Sequence, residues 1–569
     1  MIEKMTKYSF ILLNASKEDF LEHLQELGLV DITRSDKPVD ERTSALLGEV
    51  EAQKKLINEI ETGRNATVKE LEDKLTPLRK EEESIRVWGD WDRQALAETG
   101  VKLHFYSVPA KKFNPVWDEA YAIVKADEGG KTIHFVIAGD NAGFPLKEMR
   151  EPERALSEVV DEIKELEEEL KAAKASLEAR KEDLPQMRED LAHLEGDLSR
   201  ALASAAAEGA AENTLAVFEG FSPVENDSAL EKSLNALDVV WFKEAAALED
   251  NPPIAFRNNK FVKMFELLTD MYGRPAYNGF DPTPFIAIFF MLFFAFCMGD
   301  AGYGLLLIAL GFGLKKALGD ISPLVITLGV ATTVIGFLFH TFFSMDIAQW
   351  QIFEPIKGVF LPSKIMGYDG TMVLSLIVGI VHLSLAMIIK TIMATKQKGF
   401  MNSLGTWGWT LLVVGGAAIG TFALLGVIDK GATKIAIITV GVLSALGIFI
   451  LNDPHRNVFA NIGSGLWETY NGITGLLGDV LSYLRLYALG LAGAMLGKAF
   501  NDIGLMVLGD GRNIAMWVFF IIIILLGHTL NIAMAALGAF VHPLRLNFLE
   551  FFKNSGYDAT GRNFNPLKK

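Results

Sequence analysis

GLLGDVLSYLRLYALGLAGAMLG, residues 475–497, decides the fold. Apart from Asp479 and Arg485 the stretch is apolar or small over a length that crosses a bilayer, and Arg485 stands in its middle. A guanidinium keeps its proton at every relevant pH, so at bilayer depth it costs at least ~2.5–3.5 kcal/mol unless something compensates it. Six residues separate Asp479 from Arg485, about 240° around a helix, so the two do not pair on one face. The arginine instead shares its face with Gly478, Leu481, Ser482, Leu489, Ala492 and Leu496, beside a strip of small residues, Gly490, Gly493 and Gly497, that admits another helix closely. A fixed cation without a carboxylate of its own in the membrane half points to a partner on another subunit.

Outward from this stretch the composition divides. Residues 1–255 are rich in Glu, Lys and Asp and hold no apolar run that could span a bilayer, whereas 283–552 is a succession of apolar stretches broken by short polar loops. Eight spans are expected, at 284–299, 301–317, 321–344, 371–394, 405–427, 433–451, 473–500 and 514–544. The first two are short and suit a tilted or re-entrant pair. With the N-terminal part in the cytoplasm, the inside loops carry Lys315, Lys316, Lys390, Lys396, Lys398 and Arg456, and a tail at 553–569 ends in Lys568 and Lys569. The outside loops carry only Lys357, Lys364, Lys430 and Arg512. An even number of spans satisfies this bias with both termini inside. No charged n-region and cleavage site open the chain, so no cleaved signal peptide is expected. The net charge of −16 argues against a nucleic-acid partner, and the single Cys297 excludes internal disulfides and Cys-based metal clusters.

The soluble half is organised by period. Leu156, Val159, Ile163, Leu166, Leu170, Ala173 and Leu177, then Leu184, Met187, Leu191, Leu194 and Leu198, keep a 3-4 spacing, with Pro185 expected to kink the helix. Val50, Ile57, Ile60, Val68, Leu71, Leu75, Leu78 and Ile85 keep the same period more loosely. Two such helices in one chain pair most simply antiparallel, as a coiled-coil arm of 41–95 and 146–212. The insert at 100–145, with LHFYSV and IHFVIA, reads as a small α/β tip lobe. KYSFILL, a helix and LVDIT make one β-α-β unit, and TLAVFEGF, a helix and DVVWF a second. Together they suggest a ferredoxin-like base lobe from 1–38 plus 213–255, joined through a linker at 256–282 to the membrane domain.

Two further places in the membrane half carry polar chemistry. In the last span His528, Asn531, Ala535, Gly538, His542, Arg545 and Leu549 fall within roughly 100° of one another, a polar stripe suited to a water-accessible path or a buried seam. Arg545 also lies near enough to the cytoplasmic end to snorkel. GDAGYG, residues 299–304, reads as a glycine-permitted hairpin at a membrane surface, not an ion site. Lone histidines 340 and 528 read as hydrogen-bonded packing residues, and no metal-spaced cluster appears. There is no GxxxxGK[ST]; GAMLGKA, 493–499, fails in spacing, so no nucleotide hydrolysis is expected of the chain itself.

Along its whole length the sequence resembles subunit a, or subunit I, of the V-type and A-type rotary ATPases. The resemblance rests on EGFSPVE (219–225), MYGRPAYNGFDPTPF (271–285), MGDAGYGLL (298–306), SYLRLYALGLAGAML (482–496) and GAFVHPLRLNFLEFF (538–552), the last two being the most specific. It implies a non-catalytic stator subunit. Arg485 would face a rotating proteolipid ring whose carboxylates carry H⁺ or Na⁺, and Arg545 would support it. Glu468, Asp479, Ser482, Tyr483, His528, Asn531, His542 and Glu550 become candidates for lining or supporting the ion half-channels. The soluble lobes would hold E/G-type peripheral stalks, which reach the A/B catalytic head, beside a d/C-type central-stalk subunit. No cofactor is implied, and the expected place is a plasma membrane. Many relatives have a Glu where this chain has Ala535 and a His where it has Gly493, so the access path here must use other polar groups.

Two other readings compete. A stand-alone secondary transporter or channel with a regulatory arm would show internal repeats and a midplane site of broken helices, and no convincing repeat is seen. An inert membrane tether has no use for Arg485.

Overall fold

The computed structural model describes residues 1–35, 37, 40–90, 98, 100–127, 132–142, 144–149, 154–211, 214–362, 364–365, 367–424, 428–451, 458–509 and 514–568. Arg456, Arg512, Lys569, residues 91–95 of the expected arm and the end of the expected 405–427 span lie outside the described residues. The chain forms two compact units. One comprises Met1–Phe10, Leu29–Asp31 and Glu219–Pro566, the other Ile11–Gly28, Ile32–Phe218 and Leu567–Lys569.

Near the start lie β1 (Met5–Leu13), α1 (Lys17–Leu27) and β2 (Asp31–Ile32). Two helices follow, α2 (Glu41–Thr62) and α3 (Ala66–Ile85). Asp40 caps α2 by accepting from the Thr43 amide at 2.7 Å, Gly63 ends it at φ 64°, and Asn65 caps α3 by accepting from the Val68 amide at 2.8 Å. Stop and start signals thus adjoin within three residues. A three-stranded antiparallel sheet comes next, from β3 (Leu103–Pro109), β4 (Ile123–Asp127) and β5 (Thr132–Ala138), with the short α4 (Val116–Ala120) between β3 and β4, in the order β3-β5-β4 around buried Tyr106, Val108, Phe135 and Ile137. The return path is α5 (Leu156–Ala179) and α6 (Leu184–Ala205), separated by a 3₁₀ turn at Arg180–Asp183, with Pro185 in the first turn of α6, where its missing N–H costs nothing. Leu75 and Ile85 of α3 pack with Val159 and Ile163 of α5, and Ile60 and Val68 with Leu177. Ion pairs flank these contacts, Arg79–Glu167 at 2.6 Å and Lys174–Glu72 at 2.7 Å. Then come β6 (Glu208–Ala210), β7 (Leu215–Pro223), α7 (Asp227–Leu234) and β8 (Val240–Ala245), giving a sheet ordered β2-β7-β1-β8 with β6 on β7.

The membrane half is mostly helical, and among the described residues six of its helices are long and apolar enough to cross a bilayer: Lys315–Leu338, Gly370–Lys398, Met401–Ala423, Lys430–Ile450, Asn461–Leu508 and Ile514–Ser555. This corrects the expected eight. The first two expected spans are α8 (Thr283–Met298), of 16 residues, and α9 (Ala301–Gly313), of 13. At 1.5 Å per residue they reach only ~24 and ~20 Å against ~30 Å of hydrocarbon. The α8 helix is instead a core element: Phe290 and Phe293 are fully buried and Phe294 nearly so. Behind it α9 packs on α10 (Ser322–Leu338) backbone to backbone. A Cβ on Gly304 would lie 2.4 Å from the Thr333 amide nitrogen, so no side chain fits there.

The remaining spans are α11 (Gly370–Lys398), α12 (Leu404–Thr410) continuing through a π turn into α13 (Gly416–Leu424), α14 (Lys430–Ala445), α15 (Val458–Ser482), α16 (Leu484–Leu508) and α17 (Ile514–Arg545). Ahead of them, residues 256–282 send Phe265 and Leu268, both fully buried, into the same core.

Candidate functional site

The opening stretch of sequence is two helices, not one. At Tyr483 the helix breaks between α15 and α16. The Tyr483 ring is fully buried, its hydroxyl hydrogen-bonds His382 Nδ1 at 2.9 Å, and Gly379 of α11 leaves it room, since a Cβ there would lie 2.4 Å from the ring. Tyr483 therefore anchors the break in the core. Arg485 follows on the first turn of α16.

Contacts between α16 and α17 run in opposite directions along the two helices. Asn531 donates to the Gly493 carbonyl at 2.9 Å, and His528 Nε2 meets Asn501 Oδ1 at 3.0 Å. Further along, a Cβ on Gly538 would lie 3.9 Å from Leu489. This antiparallel pairing brings His542 into electrostatic reach of Arg485. Arg485 Nη1 and His542 Nδ1 are both buried and have no hydrogen-bond partner among the described residues.

Glu550 is brought to the same end by a departure from α-helical period. After Arg545 the chain takes a π turn, Leu546–Phe551, which leaves Leu549 52% exposed and Glu550 only 4% exposed. One carboxylate oxygen of Glu550 is buried without a partner, and Arg485, Asp479 and Ser482 lie within its electrostatic reach. The membrane half thus does hold a buried carboxylate near Arg485, contrary to the sequence expectation. A straight 3.6-residue projection had no means of turning it inward.

Asp479 is occupied elsewhere. It accepts both bonds from Lys553 Nζ at 3.1 Å and one from Asn554 Nδ2 at 2.7 Å. Ser482 donates to the Gly478 carbonyl at 3.1 Å. Arg545 is exposed at the end of α17 whereas Asn531 is buried, so the expected polar stripe divides between two surroundings. Glu468 lies further along α15, lining a cavity of about 370 Å³ with Lys390, Trp409, Asn471 and Asn554.

Asp300, in GDAGYG, is 4% exposed, and it is spent on structure. Its carboxylate caps α9 by accepting from the Gly302 and Tyr303 amides at 2.8 and 3.2 Å, and it holds the 340–346 loop by accepting from the Phe343 and Ser344 amides at 2.9 and 2.6 Å. That loop places His340, Phe343 and Ser344 at φ 51°, 46° and 58°, a strain the four bonds hold in place. Sequence reasoning missed Tyr303, Asn501 and His382. The signal for His382, a lone polar group in an apolar run, was the one that had singled out Arg485.

The profile of the V-type ATPase 116kDa subunit family matches residues 140–318 and 469–569. The A-type ATP synthase subunit I of Methanocaldococcus jannaschii is 31% identical over 375 residues, which cover 60% of this chain and 52% of that one. The V-type ATP synthase subunit I of Borreliella burgdorferi is 24% identical over 626 aligned positions that take in 100% of both chains. The chain belongs to the V-type ATPase 116kDa subunit family. A further relative, the A-type ATP synthase subunit I of Pyrococcus horikoshii, is 30% identical over 56% of this chain and 48% of its own length. The chain therefore spans about half the length of these two archaeal family members. The second matched block contains Arg485, Arg545, His542 and Glu550 together, and with its six candidate spans this member of the family is a multi-pass membrane protein.

Proposed function

We propose that the chain is the membrane stator subunit of a V/A-type rotary ATPase, in which Arg485 is the fixed cation that faces ion-carrying carboxylates on a proteolipid ring. The observation that carries this reading is the Arg485 guanidinium, whose Nη1 is buried in a membrane helix with no ion pair or hydrogen bond among the described residues. Close to it, Leu481, Leu491, Met495, Met534, Leu537 and Val541 are exposed apolar side chains, a surface suited to apolar ring helices. A carboxylate brought past a permanent cation in low dielectric is driven to ionise and release its ion. The same cation bars an ion from crossing without rotation, and Arg545 supports it from the exposed end of α17.

The cavity beside Glu468, Asn471 and Asn554 is the candidate cytoplasmic access path; Asn554 of its wall bonds Asp479, and His542 and Glu550, the latter beside Ser482, lie within electrostatic reach of Arg485. Tyr483 supports this path from the core, and His528 and Asn531 belong to the opposite half. The sheet order β2-β7-β1-β8 supports a ferredoxin-like base lobe, and the α3–α5 and α2–α6 packing supports an antiparallel coiled-coil arm. We infer that these parts hold E/G-type peripheral stalks, that both termini are cytoplasmic, and that ATP is hydrolysed by other subunits. The test is Arg485→Ala in the assembled complex. ATP-driven ion transport into proteoliposomes should be abolished while the complex still purifies whole; undiminished coupled transport would overturn the mechanism.

A further inference from the structure

His382 has no part in the ion path proposed above, and most of its surroundings do not call for a histidine. Its ring is fully buried on α11, stacked on Phe551 with centroids 4.7 Å and planes 4° apart, packed on Phe289 at 4.1 Å and met edge-on by Phe293 at 5.1 Å. A phenylalanine would fill such a slot and bring no polar atom into it. The imidazole brings two. Nδ1 bonds the Tyr483 hydroxyl at 2.9 Å, and Nε2 is buried with no hydrogen-bond partner among the described residues. An unsatisfied buried polar atom destabilises a fold, so the residue that carries one needs a reason to be there. The bond to Tyr483 is the candidate reason.

That bond acts at the helix break. Tyr483 is the single residue between α15 and α16, its ring standing at 89° to the imidazole. Gly379, one turn before His382 on α11, faces the base of the same ring, where a Cβ would lie 2.4 Å from Tyr483 Cγ. One helix thus holds Tyr483 at both ends, by close contact at the base and by a bond at the hydroxyl. Packing fixes where a ring sits, whereas a hydrogen bond, which weakens steeply with angle, also fixes how it is turned. Arg485 follows two residues later, on the first turn of α16, where backbone amides lack the carbonyls of a preceding turn. Its Nη1 bonds nothing among the described residues, so the guanidinium is not fixed from its own end. Where the charge stands is decided by its backbone, and the backbone by the seat of Tyr483. Leu486, fully buried just beyond it, adds packing without direction.

We propose that His382 is a positioning residue: through the Tyr483 hydroxyl it holds the first turn of α16 in the orientation that presents Arg485 to a passing carboxylate. The inference rests on the rotary reading and adds to it a side chain on α11 that carries no ion and does not itself bond the arginine. The pull of a fixed cation on a carboxylate falls with separation, and a misplacement of ~1 Å at a reacting centre is enough to slow a reaction severely.

The test pairs two measurements, ATP-driven ion transport by the assembled complex in proteoliposomes and the melting temperature of the full-length chain. Tyr483→Phe and His382→Phe each keep an aromatic ring, break the bond and orphan one buried partner. Each should lower the melting temperature and slow transport about tenfold per assembled complex. The double variant removes both partners together. Its melting temperature should return close to wild type, because an apolar pair of the same shape orphans nothing, while transport stays about tenfold down. That separation supports positioning, and it can be read from the double variant even where a single one fails to assemble. A purely structural pair would recover transport together with stability, and such recovery overturns the proposal, as does wild-type transport in either single variant. Arg485→Ala in the same assay keeps the two readings apart. Transport that survives it sinks the rotary reading itself, whereas transport abolished by it but undiminished in the double variant sinks only the role of His382.

Discussion

Glycines at two neighbouring positions of α16 show how far a residue's role departs from its place in a sequence pattern. Gly493 and Gly497 lie on the same small-residue strip, and sequence alone treats them alike. In the structure a Cβ on Gly493 would meet only Asn531 Oδ1 at 3.9 Å, ordinary contact, whereas one on Gly497 would lie 2.0 Å from Ser344 Oγ and 2.9 Å from Asn531 Nδ2. Gly493→Ala should leave the melting temperature of the purified subunit within error of wild type. Gly497→Ala should overpack the polar network and cost about 1–3 kcal/mol, read as a lowered melting temperature. Arg485 stands out in the sequence because a permanent charge in an apolar run has no bland explanation. Tyr303, Asn501 and His528 were not legible as a set, because bonds across 225 and 27 residues leave no local trace. Glu550's burial was not legible for another reason: one π turn shifts every later side chain around the axis.

At the scale of elements, period was the reliable signal and length the treacherous one. The 3-4 spacing in the soluble half marked the helices that bury Leu75, Ile85, Val159 and Ile163, and the break near Pro185 fell where a missing amide is harmless. Apolar composition alone could not tell the core helix α8 from a span, since both are greasy and only the 16-residue length excludes it. The helical pair also separates packing from charge as sources of stability. Leu75 is 4% exposed within its cluster, while the neighbouring Arg79–Glu167 pair is open to solvent on both sides. Leu75→Ala should cost about 2–5 kcal/mol, and Arg79→Ala no more than about 1 kcal/mol. Thermal or urea unfolding followed by helical circular dichroism checks both, and equal losses would mean the ion pairs matter more than the apolar seam.

Across the larger unit, the last membrane helix does not end free. Residues 556–566 lie back along 251–256 and 273–276: Ile254 donates to the Arg562 carbonyl at 2.7 Å, Phe564 to that of Ile254 at 3.1 Å, Gly561 to that of Arg274 at 3.0 Å, and Ala276 to that of Asp558 at 3.0 Å. The strap closes on Asp31, 4% exposed, which accepts from Arg562 Nη1 at 3.1 Å and from the Asn565 amide at 3.2 Å. The strap ties the end of α17 to the segments that follow β8 and precede α8. Arg562→Ala strips one partner from a buried carboxylate but leaves the Asn565 amide in place, so the expected loss is about 1–3 kcal/mol, short of a fully orphaned charge. Amide hydrogen exchange should quicken at Ile254 and Phe564, whose bonds the strap supplies, and remain slow in α16 and α17. Faster exchange throughout the membrane helices would instead mean that the strap holds the membrane fold together and does not merely fasten it to the lobe.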